Sequence, residues 1–323
     1  MTIPFILSIA ILLGLALFLF NEIRRPDPGP PRRWKKIVRI TLIAIPFLIG
    51  CFFFYGVLIE PNRLVLHEET IAINSWPREL DGLRIAVISD IHVGSLFIRD
   101  DKLRLIVQRT NELQPDMIVI LGDYMSGEGW MRIRVMPEVF GPFLKEFRAP
   151  LGVYSVLGNH DWWWDGPRVR RALEANGIKV LDDQVLEVAA RGTSFWLAGL
   201  ADLWTRPQRV ESTIAKIPPG APAIALTHNP DIFPRLPQRV PLLLAGHTHA
   251  AQIRFPIFGP IVQPSTNGYV SGHYFENNHH LFVTTGIGTS IIPMRFGVTP
   301  EIVLLTIKSQ EGDNQPHSKP PNR

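Results

Sequence analysis

The chain has 323 residues, a hydrophobic fraction of 46% and a mean hydropathy of +0.11, which exclude a disordered polymer and exceed what a wholly soluble domain needs. A single cysteine, Cys51, excludes a disulfide framework and a cysteine-based zinc site. The net charge of +4 is unevenly spread: residues 1–59 carry seven Lys/Arg against two acids, and the remainder is −1, so no nucleic-acid-binding surface is expected.

Two apolar runs open the chain. Ile3 to Phe20 is uncharged, and Ile37 to Ile59 holds one charge, Arg39. At about 1.5 Å per residue the second run reaches roughly 34 Å, enough for a hydrocarbon core of about 30 Å. The first is near the lower limit for a span. Arg39 lies near an end, where its stem can snorkel, and Pro46 is tolerable as a kink. Neither run has a polar face, and no basic residue precedes the first, so two transmembrane helices are expected in preference to core helices or a cleaved signal. The linker 21–36 carries Arg24, Arg25, Arg32, Arg33, Lys35 and Lys36 against Glu22 and Asp27. The positive-inside rule puts that linker in the cytoplasm. The expectation is a multi-pass protein of the cytoplasmic membrane, with everything after residue 60 on the extracytoplasmic (periplasmic or outer) face.

Residues 1–59 are therefore read as an anchor, 60–83 as a connecting segment with a short alternating stretch from Leu64 to Ile73, 84–308 as one domain and the polar, Pro-rich 309–323 as a disordered tail. Within the domain, Arg84–Ser89, Met117–Leu121 and Val153–Leu157 are short β-branched runs typical of buried strands. An amphipathic helix is predicted from Asp100, with Leu103, Ile106, Val107 and Leu113 on one face. Further helices are predicted at Met136–Phe147, with Gly141-Pro142 as a possible break, and at Pro167–Asn176. Strands follow at Val185–Ala189, Phe195–Leu200, Ala223–Thr227, Leu242–Ala245, Leu281–Thr284 and Ile302–Ile307, with one helix around Gln208–Ile217.

Polar residues fall at the ends of these strands. Asp90 and His92 follow the first, Asp123 the second, and Asn159, His160 and Asp161 the third. Two later strands deliver His228, then His247 and His249. Five of the ten histidines sit in these loops. A lone Asp after a strand is usually a turn or cap, and a lone His is usually structural. Five segments converging on the C-terminal edge of an α/β sheet are a ligand-binding arrangement.

As a set, Asp90-Ile91-His92, Gly122-Asp123, Gly158-Asn159-His160-Asp161, His228 and Gly246-His247-Thr248-His249 resembles the calcineurin-like metallophosphoesterase family, in the family's order, over about residues 84–308. The run from Gly246 through Pro293, Arg295 and Pro300-Glu301 is similar to the bacterial membrane-attached or exported phosphodiesterase branch, which also resembles a UDP-2,3-diacylglucosamine pyrophosphatase. The resemblance implies an α/β (α+β) fold, a four-layer α/β/β/α sandwich. It implies one metal held by Asp90, His92 and His249, a second by Asn159, His228 and His247, and Asp123 bridging them. The cofactors would be two divalent ions, Mn favoured, with Fe, Zn or Co as alternatives for a mixed oxygen and nitrogen shell. Ions about 3.5–4 Å apart can grip a phosphoryl group and activate a shared water, so no phosphoenzyme is implied. By the same resemblance His160 is not a ligand; it would stabilise the phosphoryl oxygen and protonate the leaving group. Asp161 either orients that imidazole or caps a helix.

The expected activity is hydrolysis of a phosphodiester or phosphomonoester, and the expected partners are a phosphoester-containing substrate and the lipid bilayer. A pyrophosphatase of a lipid-linked or nucleotide-sugar substrate and a catalytically silent metal-binding scaffold are the alternatives. Trp162, Trp163 and Trp164 could stack on a substrate ring or wedge a helix, the wedge being favoured for Trp162 and Trp163. His273 and Tyr274 are candidates to line the pocket, and His279 and His280 are read as surface.

Overall fold

Along each buried strand the side chains alternate between two apolar layers, and this alternation stacks the domain. The computed structural model describes residues 2–25, 33–127 and 133–310. Two helices, α1 (Thr2–Arg24) and α2 (Arg33–Phe54), come first, and α2 continues through a π turn at Tyr55–Ile59 and a 3-10 turn at Glu60–Asn62. The chain then runs β1 (Val65–Asn74), β2 (Leu83–Ile88), α3 (Asp100–Glu112), β3 (Met117–Ile120), α4 (Pro137–Leu144), β4 (Val153–Ser155), α5 (Asn159–Glu174) and β5 (Ile178–Val180). The second half holds β6 (Gln184–Ala190), β7 (Thr193–Gly199), α6 (Val210–Ile214), β8 (Ala223–Leu226) and β9 (Leu242–Ala245). It closes with β10 (Arg254–Phe255), β11 (Gly259–Pro260), β12 (Gly272–Glu276), β13 (His279–Val283) and β14 (Glu301–Gln310).

Two six-stranded mixed sheets result, ordered β1-β14-β2-β3-β4-β5 and β12-β13-β9-β8-β7-β6. In β2, Ile85 and Val87 face the layer between the sheets, while Ala86 and Ile88 face the helices. In β9, Leu242 and Leu244 enter the same inter-sheet layer, and Leu243 and Ala245 face outward. Helices α3, α4 and α5 cover the first sheet, and α6 with the 3-10 turn Pro230–Arg235 covers the second. Strands β2 to β5 are mutually parallel, as are β7, β8, β9 and β13, so each sheet presents a set of carboxyl ends.

Several expectations change. The connecting segment 60–83 contains β1, which pairs in parallel with β14 from Val65↔Glu301 to Asn74↔Gln310. That register extends β14 into the expected tail: Ser309 donates to Asp81 Oδ1 (2.8 Å) and to the Trp76 carbonyl (2.6 Å), so polar residues gain partners by becoming strand. Residues 311–323 lie outside the described residues. The helix predicted from Pro167 is the second half of α5. The helix breaks at Asp165, which caps the second half: its Oδ1 accepts from Arg168 N at 3.1 Å, and Pro167 falls in the first turn, where a missing N–H costs nothing. His279 and His280 are buried, because β13 pairs with β9 and draws them inside; His279 Nδ1 donates to the Val240 carbonyl at 2.9 Å. His273 and Tyr274 lie on edge strand β12, where His273 pairs with Phe282 and its Nε2 lies 2.8 Å from His280 Nδ1, and the Tyr274 hydroxyl accepts from Val270 N.

Among the described residues one helix, Trp34–Asn62, is long and apolar enough to cross a membrane. α1 covers the first expected span, and its crossing rests on the sequence alone. The two helices are in contact: a Cβ on Gly50 would come within 3.0 Å of Leu12, and Arg39 pairs with Glu22 at 2.8 Å.

Candidate metal centre

The strand ends are laced together before any side chain is considered. Asp90 N donates to the Gly122 carbonyl and His92 N to that of Asp123, both at 3.0 Å, joining the loops after β2 and β3. Gly246 N donates to the His228 carbonyl, joining those after β8 and β9. Asp90, His92, Asp123, His247 and His249 all have φ between +50° and +72°, a region that costs a side-chain-bearing residue energy. Glycine permits the close approach of neighbours: a Cβ on Gly158 would overlap Asp123 Oδ1, and one on Gly246 would overlap Ser89 Oγ.

Three overlapping clusters of potential ligand atoms, each within 4.8 Å, follow: Asp90, His92 and His249; His92, Asp123 and His160; and Asp123, His228 and His247. Asp123 is shared. Its Oδ2 stands 3.7 Å from His92 Nε2, 3.3 Å from His228 Nε2 and 4.0 Å from His160 Nε2. Asn159 joins through Oδ1, 3.1 Å from His228 Nε2. His92 Nδ1 donates to the Met125 carbonyl (3.0 Å) and His228 Nδ1 to that of Leu121 (2.7 Å). Both bonds fix the ring and turn Nε2 toward the cluster, as partners of metal-binding histidines do.

The charges are crowded. Burial pushes the Asp90 carboxyl up to about 6. Burial also opposes ionisation of Asp123, but His228 and His160 outweigh it and hold that carboxyl well below its usual range. The His228 imidazole is disfavoured as a cation by burial, yet Asp123 raises it to about 10. His247 is pushed down to about 3, by burial and then by His228. Of the two carboxylates, Asp123 favours positive charge on its neighbour His228, whereas burial and then His92 push His249, beside Asp90, well below the usual imidazole range. Asp90 Oδ1 is buried with no hydrogen-bond partner, 3.4 Å from His249 Nε2. An orphaned carboxylate oxygen among inward-facing imidazole nitrogens is a donor set that fits divalent cations.

The remaining expected residues divide. The His160 backbone N–H donates to Asp123 Oδ1 (2.9 Å), and its Nε2 meets Ser290 Oγ at 3.4 Å. Asp161 accepts from the backbone N–H of Gly158 and Asp123 through Oδ2 and of Met125 through Oδ1, at 2.9–3.0 Å. Of its two readings, the helix cap is the one these bonds fit, extended into a clamp on the Asp123 loop. Trp162 packs against the helical core layer with Arg206 over its ring, whereas Trp163 is 61% exposed beside His160, contrary to the wedge expected for it.

Sequence reasoning missed Trp204, whose ring meets His247 at 4.3 Å and faces Trp163 at 6.4 Å, because it follows β7 without a neighbouring ligand motif. It assigned no role to Arg295, which is fully buried. The Arg295 guanidinium donates to the Thr285, Gly286 and Gly288 carbonyls and to His249 Nδ1. The sequence signal for it was its place in the run from Gly246 to Pro300-Glu301, which carries the resemblance but says nothing of its contacts.

Asp161→Ala would strand three buried N–H donors, each worth about 1–3 kcal/mol. The variant is expected to lower the thermal midpoint of the detergent-solubilised chain in excess chelator as well as with metal. An effect seen only with metal would contradict the clamp.

The family model for Calcineurin-like phosphoesterase matches residues 83–251. The chain is 32% identical over 283 residues to the metallophosphoesterase YkuE of Bacillus subtilis (strain 168), covering 86% of this chain and 97% of that protein. It is 32% identical over 287 residues to a transmembrane protein with metallophosphoesterase domain of Danio rerio, covering 84% of this chain and 63% of that longer protein. Phosphodiesterase YaeI of Escherichia coli (strain K12) is 28% identical over 233 residues, 69% of this chain and 82% of that protein. With the strand-end clusters and these matches together, the chain belongs to the calcineurin-like phosphoesterase family and is a phosphoester hydrolase.

Proposed function

We propose that the chain is a membrane-anchored phosphoesterase that cleaves phosphodiester or phosphomonoester bonds at a centre for two divalent cations. The observation that carries this reading is the sharing of Asp123 between two clusters of inward-facing imidazoles. Asp90, His92 and His249 would hold one ion, Asn159, His228 and His247 the other, and Asp123 both. When bound, the ions supply positive charge to the phosphoryl oxygens and lower the pKa of a water at the centre. Manganese is the first candidate, with iron, zinc and cobalt next, for a shell of carboxylate, amide and imidazole donors without thiolate.

The chain's own residues do the rest. Leu121 and Met125 carbonyls hold the His228 and His92 rings so that no reorientation is needed as substrate arrives. His160 is fixed through its backbone N–H on Asp123 and keeps its imidazole on the accessible side of the cluster. From there it would hydrogen-bond the phosphoryl group and give a proton to the departing oxygen. Trp163 and Trp204 form an aromatic wall beside His160 and His247.

For the anchor, we place α1 and α2 across the cytoplasmic membrane, with the basic linker inside and the phosphoesterase domain outside. The length of Trp34–Asn62, its outward apolar side chains and the Arg39–Glu22 pair between helices support this arrangement.

Asp123→Ala is expected to abolish metal-dependent hydrolysis of bis(p-nitrophenyl) phosphate by the full chain; turnover equal to the parent would refute the shared ligand. His160→Ala is expected to lower kcat by about a hundredfold while metal content stays unchanged. Loss of metal from that variant would make His160 a ligand instead.

A further inference from the structure

The run Phe255–Val262 contains no charged residue and folds as the short hairpin β10–β11. Its side chains point into solvent: Ile257 is 87% exposed, Phe258 85%, Ile261 63% and Val262 62%. A second loop adds Ile291, 78% exposed, and Ile292. The two loops are one unit. Gln252 Nε2 donates to the Ile292 carbonyl (2.9 Å), Ser290 N donates to Gln252 Oε1 (2.6 Å), and Arg254 N donates to the Phe296 carbonyl (2.7 Å). Ile291 has φ +59°, a conformation that a β-branched residue rarely adopts, and these bonds hold it there. An exposed apolar lip of this kind marks a contact surface.

Its neighbours identify the occupant. Phe52 of α2 stacks on Phe255, with centroids 5.6 Å apart and an interplanar angle of 13°, and meets Phe296 at 4.6 Å. Arg295 N donates to the Gly56 carbonyl (2.9 Å), and Glu60 Oε2 accepts from Gly297 N (2.9 Å). The lip is thus fastened to the last turns of the helix that is long enough to cross a bilayer.

We infer that Ile257, Phe258, Ile261, Val262, Ile291 and Ile292 insert into the membrane leaflet beside α2, so that the metal centre opens at the lipid–water boundary and takes amphiphilic, lipid-borne phosphoesters. The inference rests on the membrane-anchored phosphoesterase proposed above. Its link to the centre is Ser290, which precedes Ile291 and places Oγ 3.4 Å from His160 Nε2. A substrate whose tails stay in the leaflet would present its phosphate to the same loop that carries the apolar side chains. Interfacial insertion of apolar side chains concentrates such a substrate at the site without any added contact to the phosphate.

The test uses the full chain in phosphatidylcholine nanodiscs with two esters of the same scissile bond, methyl and hexadecyl p-nitrophenyl phosphate. In each, water adds to phosphorus, the bond to the phenolic oxygen breaks, and p-nitrophenol leaves with the alkyl phosphate as co-product. The parent is expected to favour the hexadecyl ester by about tenfold or more in kcat/KM. Ile257→Ser/Phe258→Ser is expected to lose most of that preference while methyl ester turnover stays within about twofold of the parent. Separately, Cys51→Ser/Phe258→Cys carrying an environment-sensitive fluorophore is expected to emit as in a lipid phase and to be quenched by brominated acyl chains. Equal use of both esters, or a label that reports water, overturns the inference while the phosphoesterase reading stands. A label buried only when two chains share a disc would make the lip a self-association surface and overturn it too. Hydrolysis of neither ester would instead remove the phosphodiesterase half of the proposed function, and the label would still decide whether the lip meets lipid.

Discussion

A carboxylate removed from water must find positive charge, and in this fold that requirement falls on Asp123. It is 2% exposed, and its Oδ2 has three imidazole nitrogens within 4.0 Å. Against the opposing effect of burial, Asp123 raises the His228 imidazole to about 10. The arrangement costs energy twice over, through desolvation and through left-handed backbone at five neighbouring positions. The surrounding structure offsets that cost with rigid supports: Asp161 clamps three backbone N–H groups, and the buried Arg295 ties the Gly286–Gly288 turn to His249.

Much of this was legible in the sequence because it depends on local signals. The strands at Leu242–Ala245 and Met117–Ile120 stand out as short apolar runs, and ligand-bearing residues directly after them are read without knowing the sheet order. What was not legible depends on partners far away in the chain. The alternation from Leu64 to Ile73 is visible in the sequence, but its place beside β14 is not, and the end of β14 is polar enough to look like tail until it pairs with β1. His279 and His280 look like a surface hairpin until β13 is seen beside β9. The Asp161 clamp joins Gly158, Asp123 and Met125, a contact between two loops that no spacing rule reveals. Trp163 and Trp204 likewise meet from segments far apart in sequence.

The anchor and the domain are likewise not independent pieces. α2 does not end in a flexible tether; it winds through its π and 3-10 turns directly onto the segment 294–297, where Gly56 leaves no room for a Cβ beside Met294. Arg295 receives that contact on its backbone and delivers its guanidinium to His249. On the proposed anchoring, the residues that seat α2 on the domain are the same ones that orient one candidate ligand, His249.

The central claim is that these side chains gather around a pair of cations, and direct elemental analysis of the full chain tests it best. Protein purified in detergent, equilibrated with manganese and freed of loose ions should retain close to two transition-metal ions per chain, and Asp123→Ala should retain markedly fewer. Retention of none by the parent protein, or equal retention by both, would contradict the account.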